Sequence, residues 1–145
     1  MLSYKQDWVK IPRSEVKSLS KLKDYDFDDK YVANSHGDVY RVKGREGIKL
    51  ICKKMSPYEN RDHYIEYVLT DRYGEKKHIN AQRIVAGLFL KRVPGKNYVN
   101  HKDGYRLNND VSNLEWVSHS ENIKHSWNVV RKEGKYKFKR RVVER

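Results

Sequence analysis

Val99-Asn100-His101-Lys102-Asp103-Gly104-Tyr105-Arg106-Leu107-Asn108-Asn109-Asp110-Val111-Ser112-Asn113-Leu114-Glu115-Trp116-Val117-Ser118-His119-Ser120-Glu121-Asn122-Ile123-Lys124-His125 decides how this chain is read. Val99 to His101 suits the end of a strand, and Leu114 to Val117 suits the return strand of a hairpin. Asp103-Gly104 and Asn108-Asn109 are turn and loop dipeptides between them. Ser118 and Glu121 stand at capping-box spacing, so a helix starts after the second strand. Strand, loop, strand, helix is the expected order, and it places Asn122 in the first helical turn, facing His101 across the hairpin. Singly, these residues have bland readings, because a lone histidine is more often structural or exposed than catalytic. In this order they are what a small one-metal phosphodiester-cleaving site requires.

Upstream, the pattern stays rich in hairpins. Tyr64 to Thr70 alternates as a strand, Asp71 to Glu75 turns through Gly74, and Lys76 to Ile79 returns. Asn80 is positioned to cap a helix whose Ala81, Ile84, Val85, Leu88 and Phe89 form one apolar stripe before Pro94-Gly95. Tyr31 to Arg41 reads as two short strands around an Asn34-Ser35-His36-Gly37 turn. Nearer the N-terminus, Trp8, Val9, Ile11 and Pro12 suit an edge strand, and Ser14 to Lys23 suits a short helix or an extended arm. Asp24, Asp26, Asp28 and Asp29 form an acidic cluster, read as a solvated turn because no paired histidine accompanies it.

Composition limits the function classes. A chain of 145 residues with 37% hydrophobic residues allows one compact domain or two very small ones, with a modest core. Cys52 is the single cysteine, which excludes a disulfide framework or a cysteine-based zinc site within one chain. No apolar run approaches membrane-spanning length and no signal-peptide core opens the chain, so a soluble intracellular protein is expected. Net charge is +13, from 32 Lys and Arg against 19 Asp and Glu, a surplus that attracts polyanions. Residues 131–145 concentrate it, with Tyr136 and Phe138 set among Arg131, Lys132, Lys135, Lys137, Lys139, Arg140 and Arg141. Non-specific, salt-sensitive phosphate contact is the expected use of such a tail.

The compound pattern resembles the ββα-metal motif of HNH endonucleases, in particular the phage and intron-encoded homing type. Asn100-His101-Lys102-Asp103-Gly104, Asn108-Asn109, Asn113-Leu114-Glu115-Trp116 and Glu121-Asn122 carry the resemblance. Tyr31 to Arg41 is similar to an element at the front of phage homing endonucleases, where it either scaffolds or lies on DNA. The likeness extends from about Tyr25 to Trp127.

The resemblance implies that His101 is the general base, that Asn100 and Asn122 are the metal ligands, and that Asn113 ties the loop together and orients the base. It also implies one divalent ion per chain, Mg²⁺ foremost, with Mn²⁺ or a similar ion as alternatives. Asp103 and His125 are auxiliary candidates: Asp103 for a missing negative charge or a structural turn, His125 for a ligand, a phosphate contact or a plain surface residue. Arg83, Lys102 and Arg106 join the tail as candidate contacts to double-stranded DNA. Two departures stand out. Some relatives carry aspartate where this chain has Asn100, and Gln82 replaces a family histidine in the helix.

The resulting expectation is an α+β protein of small antiparallel hairpins ending in a ββα-metal motif. Its parts are an N-terminal arm (1–23), a β-rich region plus helix (24–90), the nuclease motif (91–130) and the basic tail (131–145). The expected function is metal-dependent nicking or double-strand cutting of DNA by a monomer or homodimer, in the host cytoplasm if phage-encoded. A non-catalytic DNA-binding protein and a host-takeover interaction protein on the same scaffold are the rival readings.

Overall fold

Three antiparallel sheets and a central helix make up residues 8–125, the part of the chain described by the computed structural model. The first sheet has five strands in the order β1-β5-β4-β3-β2. These are β1 (Trp8–Pro12), β2 (Lys17–Ser18), β3 (Tyr31–Ala33), β4 (Val39–Glu46) and β5 (Lys49–Lys54). A bulge between Val42 and Gly44 bends β4. The second sheet is β6 (Tyr58–Glu59), β7 (Ile65–Thr70) and β8 (Lys76–Asn80), and the third is the hairpin β9 (Tyr98–His101) with β10 (Leu114–Val117). Helix α1 (Ala81–Phe89) lies between them, and helix α2 begins at residue 119 and runs to residue 125. The α+β class is therefore as expected.

The strands form where alternation gives each sheet a buried face. Tyr31, Ala33 and Val39 from the first sheet meet Tyr67, Leu69 and Ile79 from the second, and Ala81, Ile84 and Leu88 of α1 close the core from one side. Ile84 and Val85 are fully buried, a contribution of about 1.5–3 kcal/mol for each side chain. The opposite face of the first sheet holds a smaller cluster of Val16, Val32, Leu50 and Cys52, with Ile11 packed against it.

Small hairpins prove to be only part of the arrangement. Residues 8–23, expected as an arm, supply both edges of the five-stranded sheet: β1 pairs with β5 and β2 with β3. Burial of Ile11, Val16 and Leu19 is what holds them there. Instead of a helix, residues 13–15 and 19–21 form two 3₁₀ turns, the second capped by Ser18, whose hydroxyl accepts from Ser20 N–H at 3.2 Å. Asn80 sits at the N-cap of α1 without making the expected side-chain cap, because its Oδ1 accepts from Asn60 instead.

Close approach is needed where the second 3₁₀ turn meets α1. A Cβ on Gly87 would lie 2.6 Å from Leu22 Cδ2, so a larger residue there would require the Leu22 side chain to shift. Among the described residues, no helix is long and apolar enough to cross a membrane.

Candidate active site

The β9–β10 hairpin sets the register of the site. His101 lies opposite Leu114, and Asn100 opposite Glu115. Directly opposed side chains share a face, and the Asn100 Nδ2 amide donates to Glu115 Oε2 at 2.8 Å. One end of the Asn100 amide is thereby fixed, and its Oδ1 is turned away from the carboxylate. Asn100 itself is buried.

His101 is 5% exposed, a low value for an imidazole. Its Nε2 lies 2.8 Å from Asn109 Oδ1. An amide oxygen only accepts, so the neutral ring carries its proton on Nε2 and its lone pair on Nδ1. The ring stacks on Tyr64, with centroids 6.0 Å apart. Burial pulls the His101 pKa below its ordinary 6.5, outweighing the Asn109 hydrogen bond and the Asp103 charge that favour the imidazolium. The ring is thus held neutral near pH 7.

The intervening loop is built around Asn113 and Asp103. Asn113 Oδ1 accepts from Asp103 N–H, while its Nδ2 donates to Asp103 Oδ1 at 3.0 Å and to Asn108 O at 2.9 Å. The Asp103 carboxylate also accepts from Tyr105 N–H and from Asn108 Nδ2. Burial raises the Asp103 pKa, but these bonds more than compensate and leave it below the usual range. Asn113 therefore ties the loop as expected. The partner of the His101 ring is Asn109 instead. Both oxygens of Asp103 are engaged inside the loop.

Asn109 is itself held from the N-terminal half of the chain. Gly37, at φ +97°, approaches so closely that a Cβ there would lie 3.3 Å from Asn109 Cβ. Val111 N–H donates to Ser35 O at 2.9 Å, and His36 Nδ1 lies 2.5 Å from Asp110 Oδ1. Bonds from Ser112 and then His36 hold the Asp110 carboxyl down at about 2. The Asn34–Gly37 turn, for which scaffolding and DNA contact were both open, thus buttresses the loop that carries Asn109.

The remaining candidates are spread around this centre. Ser118 and Glu121 form the reciprocal capping box, Ser118 N–H to Glu121 Oε1 at 2.9 Å and Glu121 N–H to Ser118 Oγ at 3.2 Å. That box starts α2 where Asn122 falls in its first turn, half-buried, its N–H donating to Ser118 O. His125 is half-buried, and among the described residues its buried Nε2 has no partner. Lys102 is exposed. Arg106 donates to Asp62 O at 2.8 Å and lies over the Tyr64 ring, while Arg83 donates to Asn97 O and lies over Trp116. Arg131, Lys132, Lys135, Lys137, Lys139, Arg140 and Arg141 lie outside the described residues.

Three contributors escaped the sequence reading. Glu115 and Asn109 lay within the motif, and strand register alone would have paired Glu115 with Asn100. Tyr64 carried no signal: an Asn60 side chain that accepts from Asp62 and Tyr64 N–H folds the turn that brings it over His101.

Comparison with known proteins agrees with this geometry. Residues 80–124 match the family model of the HNH endonucleases. An uncharacterized HNH endonuclease of Acanthamoeba polyphaga mimivirus is 47% identical over 51 residues, which are 35% of this chain and 16% of that protein. A second one from the same virus is 35% identical over 100 residues, 68% of this chain and 23% of that protein. Among solved structures, the HNH homing endonuclease I-HmuI, described for its DNA binding and cleavage, superposes with a TM-score of 0.61 at 28% identity, over 79% of this chain and 58% of that one. The chain therefore spans a quarter or less of these two viral relatives. With the hairpin, the His101–Asn109 pair and the capped helix that follows, these matches identify residues 80–124 as an HNH endonuclease motif and make the chain similar to the homing type of that family.

Proposed function

We propose that this chain is a metal-dependent DNA endonuclease with His101 as general base. The observation that carries the reading is the His101 ring: buried, held by Asn109 on Nε2, disposed to stay neutral, and adjacent in β9 to an asparagine whose amide is also fixed. A neutral imidazole with a defined lone pair is what proton abstraction from water near pH 7 requires. His101 Nδ1 takes the proton as the water oxygen bonds to phosphorus and the bond from phosphorus to the 3′ oxygen breaks. The products carry a 5′ phosphate and a 3′ hydroxyl.

The donor chemistry fits a hard divalent cation, Mg²⁺ or Mn²⁺. Asn100 and Asn122 offer amide oxygens, and Glu115 both directs the Asn100 amide and adds the negative charge that an asparagine lacks. Held by Asn100 and Asn122, such an ion would neutralise charge developing on the phosphate. One site of this kind per chain makes nicking the primary event.

Incubating supercoiled plasmid with the protein tests the proposal, with Mg²⁺, with EDTA, and with His101→Ala. Conversion to open circles that EDTA abolishes, and that the substitution slows by about 10²–10⁴-fold, is expected. Salt-sensitive binding without any cleavage would replace this reading with that of a DNA-binding protein on an HNH scaffold.

A further inference from the structure

A second basic feature lies beside the hairpin, in a cleft lined by Lys21, Lys23, Asp24, Arg83, Arg92 and Trp116. Two of the lining cations, Arg83 and Arg92, converge on one carboxylate. Asp24 Oδ2 is shared between Arg83 Nη2 at 3.5 Å and Arg92 Nη1 at 3.4 Å, both too long for a tight bidentate pair. Over half of the Asp24 side chain is exposed, against about a third of each arginine. A single solvated carboxylate thus stands at the mouth of a site whose own charge is strongly positive.

The cleft is also built, in the sense that its cations are held in place. Both guanidiniums lie over the Trp116 ring, at 5.3 and 4.3 Å from its centroid. Arg83 Nη1 donates to Asn97 O at 2.7 Å, and Arg92 Nη2 to Asn97 Oδ1 at 3.3 Å. Stacking and these bonds orient planar donors that suit a tetrahedral oxyanion. Trp116 is 7% exposed, and among the described residues its buried Nε1–H has no acceptor. An indole donor left unsatisfied costs free energy that an acceptor oxygen would recover.

We propose that this cleft binds a backbone phosphate of the DNA substrate, and that Asp24 occupies its mouth as a counter-ion that the phosphate displaces. The inference rests on the reading of the chain as a DNA-cleaving protein. Trp116 lies two residues along β10 from Leu114, the partner of His101. That is about 7 Å of strand, or about two nucleotide rises along one DNA strand. The phosphate held here is therefore close to the one cut and fixes the register of the strand, whatever its sequence.

The test measures binding of the full chain to a 20-base-pair duplex by fluorescence anisotropy across a salt series, in Ca²⁺ to hold back cleavage. Asp24→Asn is expected to tighten binding about two- to fivefold at low salt, the size of an exposed charge pair. Arg92→Gln is expected to weaken binding and lower the salt slope by about 0.9, the signature of one phosphate no longer neutralised. In the Arg83→Gln, Arg92→Gln background, Asp24→Asn is expected to lose its effect. An unchanged salt slope for Arg92→Gln overturns the proposal, and so does a folded Asp24→Asn that binds no more tightly. Wild-type nicking that His101→Ala removes, alongside either result, leaves the endonuclease reading standing. A wild-type chain that neither binds nor cuts the duplex removes both.

Discussion

At the residue scale, the proposed site depends on keeping one imidazole neutral and aimed. Burial lowers the His101 pKa below 6.5, so the basic form persists below the pH at which a solvated histidine would be half protonated. Cleavage should lose activity on the acid side with a midpoint under 6.5, as a rate–pH profile would show. The Asn109 hydrogen bond works in the opposite direction and favours the charged ring. Asn109→Ala should therefore shift the acid limb further down while slowing the reaction about 10- to 100-fold through loss of orientation. A limb that moves up instead would contradict the assignment. Stability has the same sign: the group binds fewer protons folded than unfolded, so its contribution is complete above 6.5 and is lost as pH falls from there toward the folded pKa. Most of this candidate site could be read from the resemblance of residues 99–125 to the HNH pattern, which singled out His101, Asn100 and Asn113. The division of labour between Asn109 and Asn113 could not. Both are loop asparagines, and only the loop's path decides that Asn113 turns back on Asp103 while Asn109 reaches the ring.

At the element scale, the hairpin and α2 were legible because their signals are local: alternation, a turn dipeptide and a capping box. The five-stranded sheet was not, since pairing β1 with β5 joins residues some forty positions apart, and Pro12 marks an edge without naming its neighbour. The same non-local packing gives the Asn34–Gly37 turn its role. Gly37 holds φ at +97° and leaves its missing Cβ's space to Asn109. Gly37→Ala should cost about 1–3 kcal/mol through backbone strain, seen as a lower melting temperature. It should also slow cleavage more than that instability explains, because the new methyl pushes on the residue that holds His101. Loss of stability with the full rate retained by the folded fraction would show that the turn props the fold and not the site.

At the scale of the whole molecule, the proposed reading divides the basic charge between a cleft that would position a phosphate and a tail that would only attract one. Residues 131–145 carry eight basic residues against two acidic ones, a surplus of six within a net charge of +13. The cleft cations differ in kind: Arg83 and Arg92 are fixed over Trp116 and contribute geometry. Replacing Lys135, Lys137, Lys139, Arg140 and Arg141 together by glutamine should flatten the dependence of duplex binding on salt, by about 0.9 in slope for each phosphate no longer neutralised. At low salt and saturating protein, the rate of nicking should be nearly unchanged, because the proposal gives the scissile phosphate to His101, Asn100 and Asn122. Binding isotherms at several salt concentrations and single-turnover nicking at saturation separate the two effects. A preserved slope would remove the tail from the DNA interface, and a collapsed single-turnover rate would draw it into the catalytic assembly.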